Sequence, residues 1–270
     1  MIELKEIISE QIKFKSQIFK LALYNMKSEY ANHYLGIFWN IFQPFLQLTV
    51  YYLVFGLGLR GNGDRILEGV PFIVHLISGL FPWLFISQSI NACASSILSN
   101  TGLLSKMKFP PSVFISITLT NRVFNLFFMT LIILAISLVY NLVPYWHYVY
   151  FLYFLIASSV LIYGISLLTS VLVVIVRDTK NLLQNILRML FFMTPIFWSI
   201  QEAKGILYNV ASLNPFTYLI GFYRLAFVHG DIHFYGQTSD HVYFWLLNFT
   251  IILTGSLFYH YFKRSLIDFI

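Results

Sequence analysis

The chain has 270 residues, of which 58% are hydrophobic and only 10% charged, with a net charge of +6 and a mean hydropathy of +0.74. A soluble domain carries about a quarter charged residues, so this composition excludes a water-facing globule and reads as an all-α polytopic membrane protein. The single cysteine, Cys93, excludes an intramolecular disulfide and gives no basis for dithiol redox chemistry.

The first thirty residues are too charged to cross a bilayer. Leu4, Ile8, Ile12, Phe19, Leu23, Met26 and Tyr30 fall along one helical stripe, with Lys13, Lys20 and Lys27 recurring every seven residues beside it. That pattern predicts an amphipathic helix over 1–30 lying in the membrane interface. It serves either as a simple anchor or also as a contact for a cytoplasmic partner. It lacks the short basic segment and apolar run of a cleavable signal peptide.

A crossing needs about 20 apolar residues, and gaps between charges place six of them. Spans one and two are expected at about 36–59 and 70–93, on either side of the charged loop that holds Arg60 and Arg65. The stretch "TGLLSKMKFPPSVF" (Thr101–Phe114) then interrupts the apolar pattern; by itself it is either a turn or a docking surface. Arg122 and Arg177 enclose 54 uncharged residues, too many for one crossing, and the turn signal "NLVPYW" (Asn141–Trp146) divides the region into spans three and four at about 113–140 and 147–176. Span five is expected at about 181–200. The region 201–230 is broken by Gly205, Asn214–Pro215 and Gly221 into halves too short to cross, which predicts a re-entrant helical hairpin. Span six follows at about 241–262, so the chain is expected to form one membrane domain over 1–270.

Loop lysines and arginines orient these spans. Lys5, Lys13, Lys15, Lys20, Lys27, Lys106, Lys108, Arg177, Lys180, Lys263 and Arg264 fall on the side of the termini, eleven in all, against four (Arg60, Arg65, Lys204 and Arg224) on the other. Both termini are therefore expected in the cytoplasm.

The chain offers little chemistry of its own. No Gly is followed by Lys, so no phosphate-binding loop of the Gly-x-x-x-x-Gly-Lys type exists. No carboxylate pair falls within a span. His229, Asp231 and His233 resemble a metal cluster only by composition, and their glycine-broken context reads as a loop. His75 and His260, near span ends, read as hydrogen-bonding or interfacial groups, and adjacent Arg177 and Asp178 read as a structural corner. Charged residues inside a membrane are costly unless paired or hydrated, which singles out Arg122 in span three and Arg188 in span five. Each either meets an anionic cargo or snorkels to the interface.

Four motifs in order carry a resemblance. "EYANHYLGIFWNIFQP" (Glu29–Pro44), with Leu35, Gly36, Trp39 and Pro44, resembles the start of the first span in type-2 ABC exporter permeases. The Arg that usually precedes Leu-Gly in that family is absent; Lys27 and His33 are the basic groups nearby. "KMKFPP" resembles the first cytoplasmic loop, "RDTKNLLQ" (Arg177–Gln184) the joint between spans four and five, and "TPIFW" (Thr194–Trp198) with "NPFTYLI" (Asn214–Ile220) the end of span five and the re-entrant hairpin. Within the family the chain is most similar to exporters of lipid-linked polysaccharides, the teichoic acid permease above all.

The resemblance implies a transport subunit in the bacterial plasma membrane, without an ATPase site or bound cofactor of its own. ATP and Mg would sit on a separate ABC ATPase subunit, two copies of which would serve a homodimer of this chain. Membrane lipids and a lipid-linked anionic polymer would be its other partners, with no nucleic acid. It implies a coupling helix at about Ala94–Lys108 that fits a groove on the ATPase, with Leu103, Leu104, Ser105, Lys106, Met107, Lys108 and Phe109 as contacts and Lys13 and Lys20 of the interfacial helix beside them. Along the cargo path it implies Arg122 and Arg188, with Trp39, Tyr51, Tyr52, Phe191, Phe192 and Trp198 as rings for sugars to stack on. In a chain with 28 Phe, 18 Tyr and 5 Trp, most aromatics must instead pack helices or form interfacial belts. Two other readings share the composition: an exporter of drugs or lipids with the same fold, and an integral-membrane transferase.

Overall fold

A computed structural model describes residues 2–31, 38–58, 66–67, 69–104, 109–228 and 237–263. Apart from one short hairpin, the regular elements among the described residues are all helical. In chain order they form α1 (Ile2–Lys13), α2 (Lys15–Ala31), α3 (Phe38–Tyr51), which continues as a π-helical segment to Gly58, and a hairpin of β1 (Ile66–Leu67) and β2 (Val70–Pro71). Then come α4 (Phe72–Ala94), the single turns α5 (Ser96–Ser99) and α6 (Thr101–Leu104), α7 (Pro111–Val139), a 3-10 turn at Tyr145–Tyr148 and α8 (Val149–Ile175). The chain closes with α9 (Thr179–Met193), a 3-10 turn at Ile200–Glu202, α10 (Ile206–Leu213), α11 (Pro215–Phe227) and α12 (Thr238–Phe262).

Among the described residues four helical segments are long and apolar enough to cross a membrane: Phe72–Ala94, Pro111–Val139, Tyr145–Ile175 and Thr238–Phe262. A shorter apolar stretch runs from Phe42 to Leu57. The chain is thus a multi-pass membrane protein. α4 forms the centre of the bundle, packed on α7, α8 and α11, and α12 runs along α8. Apolar side chains still face outward on the peripheral helices, Phe127 and Leu131 on α7 and Leu246 and Phe249 on α12 among them. Such surface suits lipid.

Where span five was expected at 181–200, the helix ends at Met193. Pro195 explains the break, because a proline disfavours helical geometry at the residue before it, and Thr194 is extended (φ −91°, ψ 140°). The same corner holds the short helix pair α10–α11, which the sequence predicts to be re-entrant. Asn214 caps α11 by accepting from the Phe216 amide at 3.0 Å, Pro215 occupies the first helical position, and the Asn214 amide donates to Thr194 Oγ1 at 2.9 Å. α11 is too short to cross, yet it is buried from Phe216 to Phe227. Protein surrounds its ends, as a membrane requires.

Arg224 on α11 corrects the charge count, since it is a fully buried residue rather than a loop cation. Its Nη2 donates to His75 Nε2 at 2.9 Å and to the His75 carbonyl at 3.3 Å, and its Nε donates to Ser78 Oγ at 3.3 Å. The guanidinium lies across Gly79, where an added Cβ would meet Nη2 at 2.9 Å. The far side thereby loses one of its four positive loop residues.

Helices in lipid attract one another mainly through close packing, so small residues mark their tightest crossings. Here Gly164 on α8 meets Gly255 on α12. A Cβ added at Gly255 would lie 2.8 Å from the Gly164 carbonyl oxygen, whereas one added at Gly164 would meet the Ile252 side chain at 2.7 Å. A backbone oxygen cannot move aside as an isoleucine methylene can. Gly255→Ala is therefore expected to destabilise the purified chain by about 1–3 kcal/mol, and Gly164→Ala by clearly less, read as midpoints of thermal unfolding in one detergent. Equal midpoints for the two variants would mean that the helices slide apart without penalty.

Candidate functional site

Three helices carry polar side chains at four-residue spacing, which places each set along one stripe. These are Gln43, Gln47 and Tyr51 on α3, Ser87 and Asn91 on α4 with Ser95 at its C-terminal cap, and Lys180, Gln184 and Arg188 on α9. The bundle turns the three stripes toward one another, and Arg122 reaches in from α7. Together they line an open groove of about 910 Å³. Its cations are Arg122, Lys180 and Arg188, and among the described residues no carboxylate lines it. Arg122 Nε and Asn91 Oδ1 are buried without hydrogen-bond partners. In a membrane such groups are tolerated where water or a polar cargo can reach them.

One end of the groove is a cluster of rings. Tyr51 and Phe191 lie 5.5 Å apart between centroids, Trp83 and Phe191 5.7 Å, and Phe191 and Phe192 5.1 Å, with Phe197 packed behind at 5.1 Å from Phe191. The structure thus brings Arg122, Arg188, Tyr51, Phe191 and Phe192 to one place. Trp39 lines a smaller neighbouring groove of about 440 Å³ on α3. Tyr52 stacks on Phe72 at 6.4 Å, and the Trp198 indole N–H donates to the Phe192 carbonyl at 3.4 Å; neither lines the large groove. The amides of Gln43, Gln47, Gln88, Asn91 and Gln184 were not singled out from the sequence. Their signal was the four-residue spacing, which hydropathy averages away.

At the end of the bundle that holds the termini, the expected ATPase contacts separate. Leu103 is exposed, whereas Leu104 packs against the cluster of Ala22, Val113 and Ile117. Phe109 rests edge-on against Phe14 at 5.2 Å. Lys13 and Lys20 are exposed, and Lys13 Nζ lies 5.7 Å from the Phe14 ring. Ser105, Lys106, Met107 and Lys108 lie outside the described residues, as do His33, Leu35, Gly36, Arg60, Arg65, His229, Asp231, His233 and Arg264.

Behind this surface a polar network joins α1 to the bundle. Ser112, in the first turn of α7, donates through Oγ to Glu10 at 2.5 Å and through its amide to Tyr259 Oη at 2.9 Å. Gln11 donates to Tyr163 Oη at 3.0 Å and accepts from Ser116 at 2.6 Å. Lys263 pairs with Glu10 at 2.6 Å and with Glu6 at 2.8 Å. These bonds tie the first turns of α7 to α1, α8 and α12. None of these partners was visible in the sequence, because each contact spans a hundred residues or more.

The family model for ABC-2 type transporters matches residues 16–228. The O-antigen export system permease protein RfbA of Myxococcus xanthus is 25% identical over 226 residues, covering 82% of this chain and 84% of that protein. Its namesake in Klebsiella pneumoniae is 28% identical over 236 residues, 85% of each chain. The polysialic acid transport protein KpsM of Escherichia coli is 24% identical over 216 residues, 78% of this chain and 81% of that one.

The α1 network has a defined response to pH. The hydrogen bond from Lys263 holds the Glu6 carboxyl below its ordinary 4.5. Burial works against the Lys263 ammonium, but its bonds to Glu10 and Glu6 outweigh it and raise the pKa above 10.5. A lowered carboxyl stabilises the fold above its ordinary pKa and ceases to as pH falls through its folded value; a raised amine stabilises below its ordinary pKa and ceases to as pH climbs through its folded value. The pairing is thus complete from about pH 5 to pH 10. Amide hydrogen exchange over Ile7–Lys13, corrected for intrinsic rates, should quicken below about pH 4.5. In Lys263→Met it should already be faster at neutral pH, with a smaller acid step. An α1 indifferent to acid in the unaltered chain would show that the ion pairs do not hold it.

Proposed function

The chain belongs to the ABC-2 type transporter family, and on that footing we propose that it is the permease subunit of an ATP-driven exporter of a lipid-linked cell-surface polysaccharide. One observation carries the reading: the groove joins three cations and a set of amides to a cap of aromatic rings. Amides and cations match the hydroxyls and phosphates of such a cargo, and ring faces match sugar C–H surfaces. The names of the relatives favour O-antigen and polysialic acid within this class over the teichoic acid expected from the motifs. A drug or simple lipid would need a more apolar wall. A transferase would need paired acids, and no acid among the described residues lines the groove.

In this reading the chain crosses the bacterial plasma membrane six times with both termini in the cytoplasm. α3 with its π-helical continuation, and α9, supply the two short crossings beside the four long ones. The groove is open, and exposed apolar residues flank it, Leu46 and Val50 on α3 and Met189 and Phe192 on α9. A second copy of the chain would cover them and complete the path. Two copies of a separate subunit would bind ATP and Mg and grip the coupling segment, with Leu103 as the outward apolar contact. Their closure would move the loop before Pro110, and the Ser112 network would carry that motion into α1, α8 and α12. Arg122, Lys180 and Arg188 would hold phosphate at the cytoplasmic end while the rings restrict passage toward the other.

Two measurements test the reading. Arg122→Gln and Arg188→Gln keep bulk but remove charge, so polymer exported per folded transporter should fall roughly tenfold, the loss of one charge-assisted hydrogen bond. The Lys variants should keep part of the activity, since they retain a point charge without the planar fork. Full export by both Gln variants at normal expression would remove the arginines from the path. Separately, Leu103→Asp should weaken assembly with the ATPase, because an apolar groove would bury an unpaired charge, while leaving thermal stability unchanged. Assembly unaffected by that change would place docking elsewhere.

A further inference from the structure

At the end of the bundle opposite the termini, α10, α11 and the first turns of α12 enclose a second cavity, of about 290 Å³. We propose that it is a saccharide subsite taking one neutral pyranose residue of the polymer, distinct from the cationic groove. The proposal rests on the polysaccharide export reading and gives it a second binding point.

The walls carry the argument. Tyr208, Tyr218 and Tyr243 present rings to the cavity. Two of their hydroxyls are already engaged: Tyr243 Oη donates to the Leu213 carbonyl at 2.8 Å, and Tyr218 Oη lies 2.6 Å from His241 Nδ1 and 2.5 Å from Tyr153 Oη. Tyr218 is also held flat by stacking on Phe244, with centroids 4.3 Å apart and an interplanar angle of 17°. What these two tyrosines offer a ligand is therefore fixed ring surface. Thr217, also in the lining, is 2% exposed, and its Oγ1 has no hydrogen-bond partner. A buried hydroxyl left unmatched is costly, and a ligand hydroxyl would satisfy it. Gln237 adds an amide that can both donate and accept.

Asp240 decides the class of ligand. Asp240 lines the cavity, and among the described residues no lysine or arginine does. A phosphate would be repelled. A single carboxylate among neutral groups is also too few hard ligands for a divalent ion, which takes six or more oxygens in the case of calcium. Paired hydroxyls on a sugar ring, donating to the carboxylate while the ring's C–H face lies on tyrosine, satisfy every group present. The volume falls at the lower limit of ligand pockets, about 300 Å³, so it holds a single residue rather than a run of polymer.

The test uses the full chain in lipid nanodiscs, free of sugar-based detergent. Methyl glucoside, galactoside and mannoside are the probes, each followed by saturation-transfer NMR up to about 10 mM, a range that reaches affinities weaker than millimolar. At least one pyranoside should receive saturation, and an excess of inorganic phosphate should not displace it. Asp240→Asn should weaken that binding roughly tenfold, and the exposed Tyr208→Ala should weaken it as well, while Arg188→Gln in the groove should not. No pyranoside signal, or a signal unchanged in both cavity variants, overturns the subsite. Polymer export measured in cells separates the two readings. Export by a chain that binds no pyranoside leaves the exporter standing without this site; binding that the cavity variants abolish, in a chain that exports no polysaccharide, leaves the site and removes the exporter.

Discussion

Hydrocarbon offers no hydrogen bonds, and that constraint governs this molecule more than any single contact. Each polar group within the bilayer must find a partner in the chain or face a space that water or cargo can enter. Serines and threonines on the long helices mostly take the first route, donating back to a carbonyl three or four residues earlier, as Ser78 and Ser158 do at 2.8 and 2.6 Å. Gln43 and Gln184 face the groove, and Gln47 and Asn91 do both, donating to Tyr51 Oη and the Ser87 carbonyl while lining it. Their amides are too numerous to be an accident of packing and too few to form a soluble core. Under the proposed function a wet path accounts for them.

The polar groups divide by location into different tasks. Near the termini they join helices: Glu10, Gln11, Ser112, Tyr163, Tyr259 and Lys263 tie an amphipathic helix to three elements of the bundle. The apolar stripe of Ile8, Ile12 and Phe19 stays exposed and is free to lie in lipid, while Ile7 and Ala22 are buried on another side of the same helices. Under the proposed function the N-terminal segment is anchor and lever at once. In the middle, cations and amides line the groove, and rings close it. At the far end the balance of charge reverses, with Asp240 and aromatic faces in place of arginine and lysine.

Much of this frame was legible in the sequence because hydropathy and charge gaps are local. Expected spans at 70–93, 113–140, 147–176 and 241–262 fall on Phe72–Ala94, Pro111–Val139, Tyr145–Ile175 and Thr238–Phe262. Arg122 and Arg188 stood out because an ionised group is rare in such company. The misreadings have a common cause. Arg224 was counted among loop charges because nothing nearby in sequence announces His75 and Ser78, which lie almost 150 residues earlier. Tyr52 and Trp198 looked equivalent to Tyr51 and Phe191, since composition does not say which side of a helix a ring occupies. The cavity beside Asp240 was invisible for the same reason, being assembled from three helices that meet only in the fold.

The seat of Arg224 also bears on how the molecule is made. A guanidinium exposed to lipid tails is costly by itself, and α11 is too short to hold it at either surface as a crossing helix could. Its acceptors all belong to α4, which leaves the ribosome first. By the time α11 emerges, both residues that accept from Arg224 have already been made, as has Gly79, which leaves room for the incoming side chain. Chain order and acceptor order agree, so α11 can be delivered directly against protein. A circularly permuted chain in which α11 preceded α4 would hold the same contacts on paper and lack the route to them.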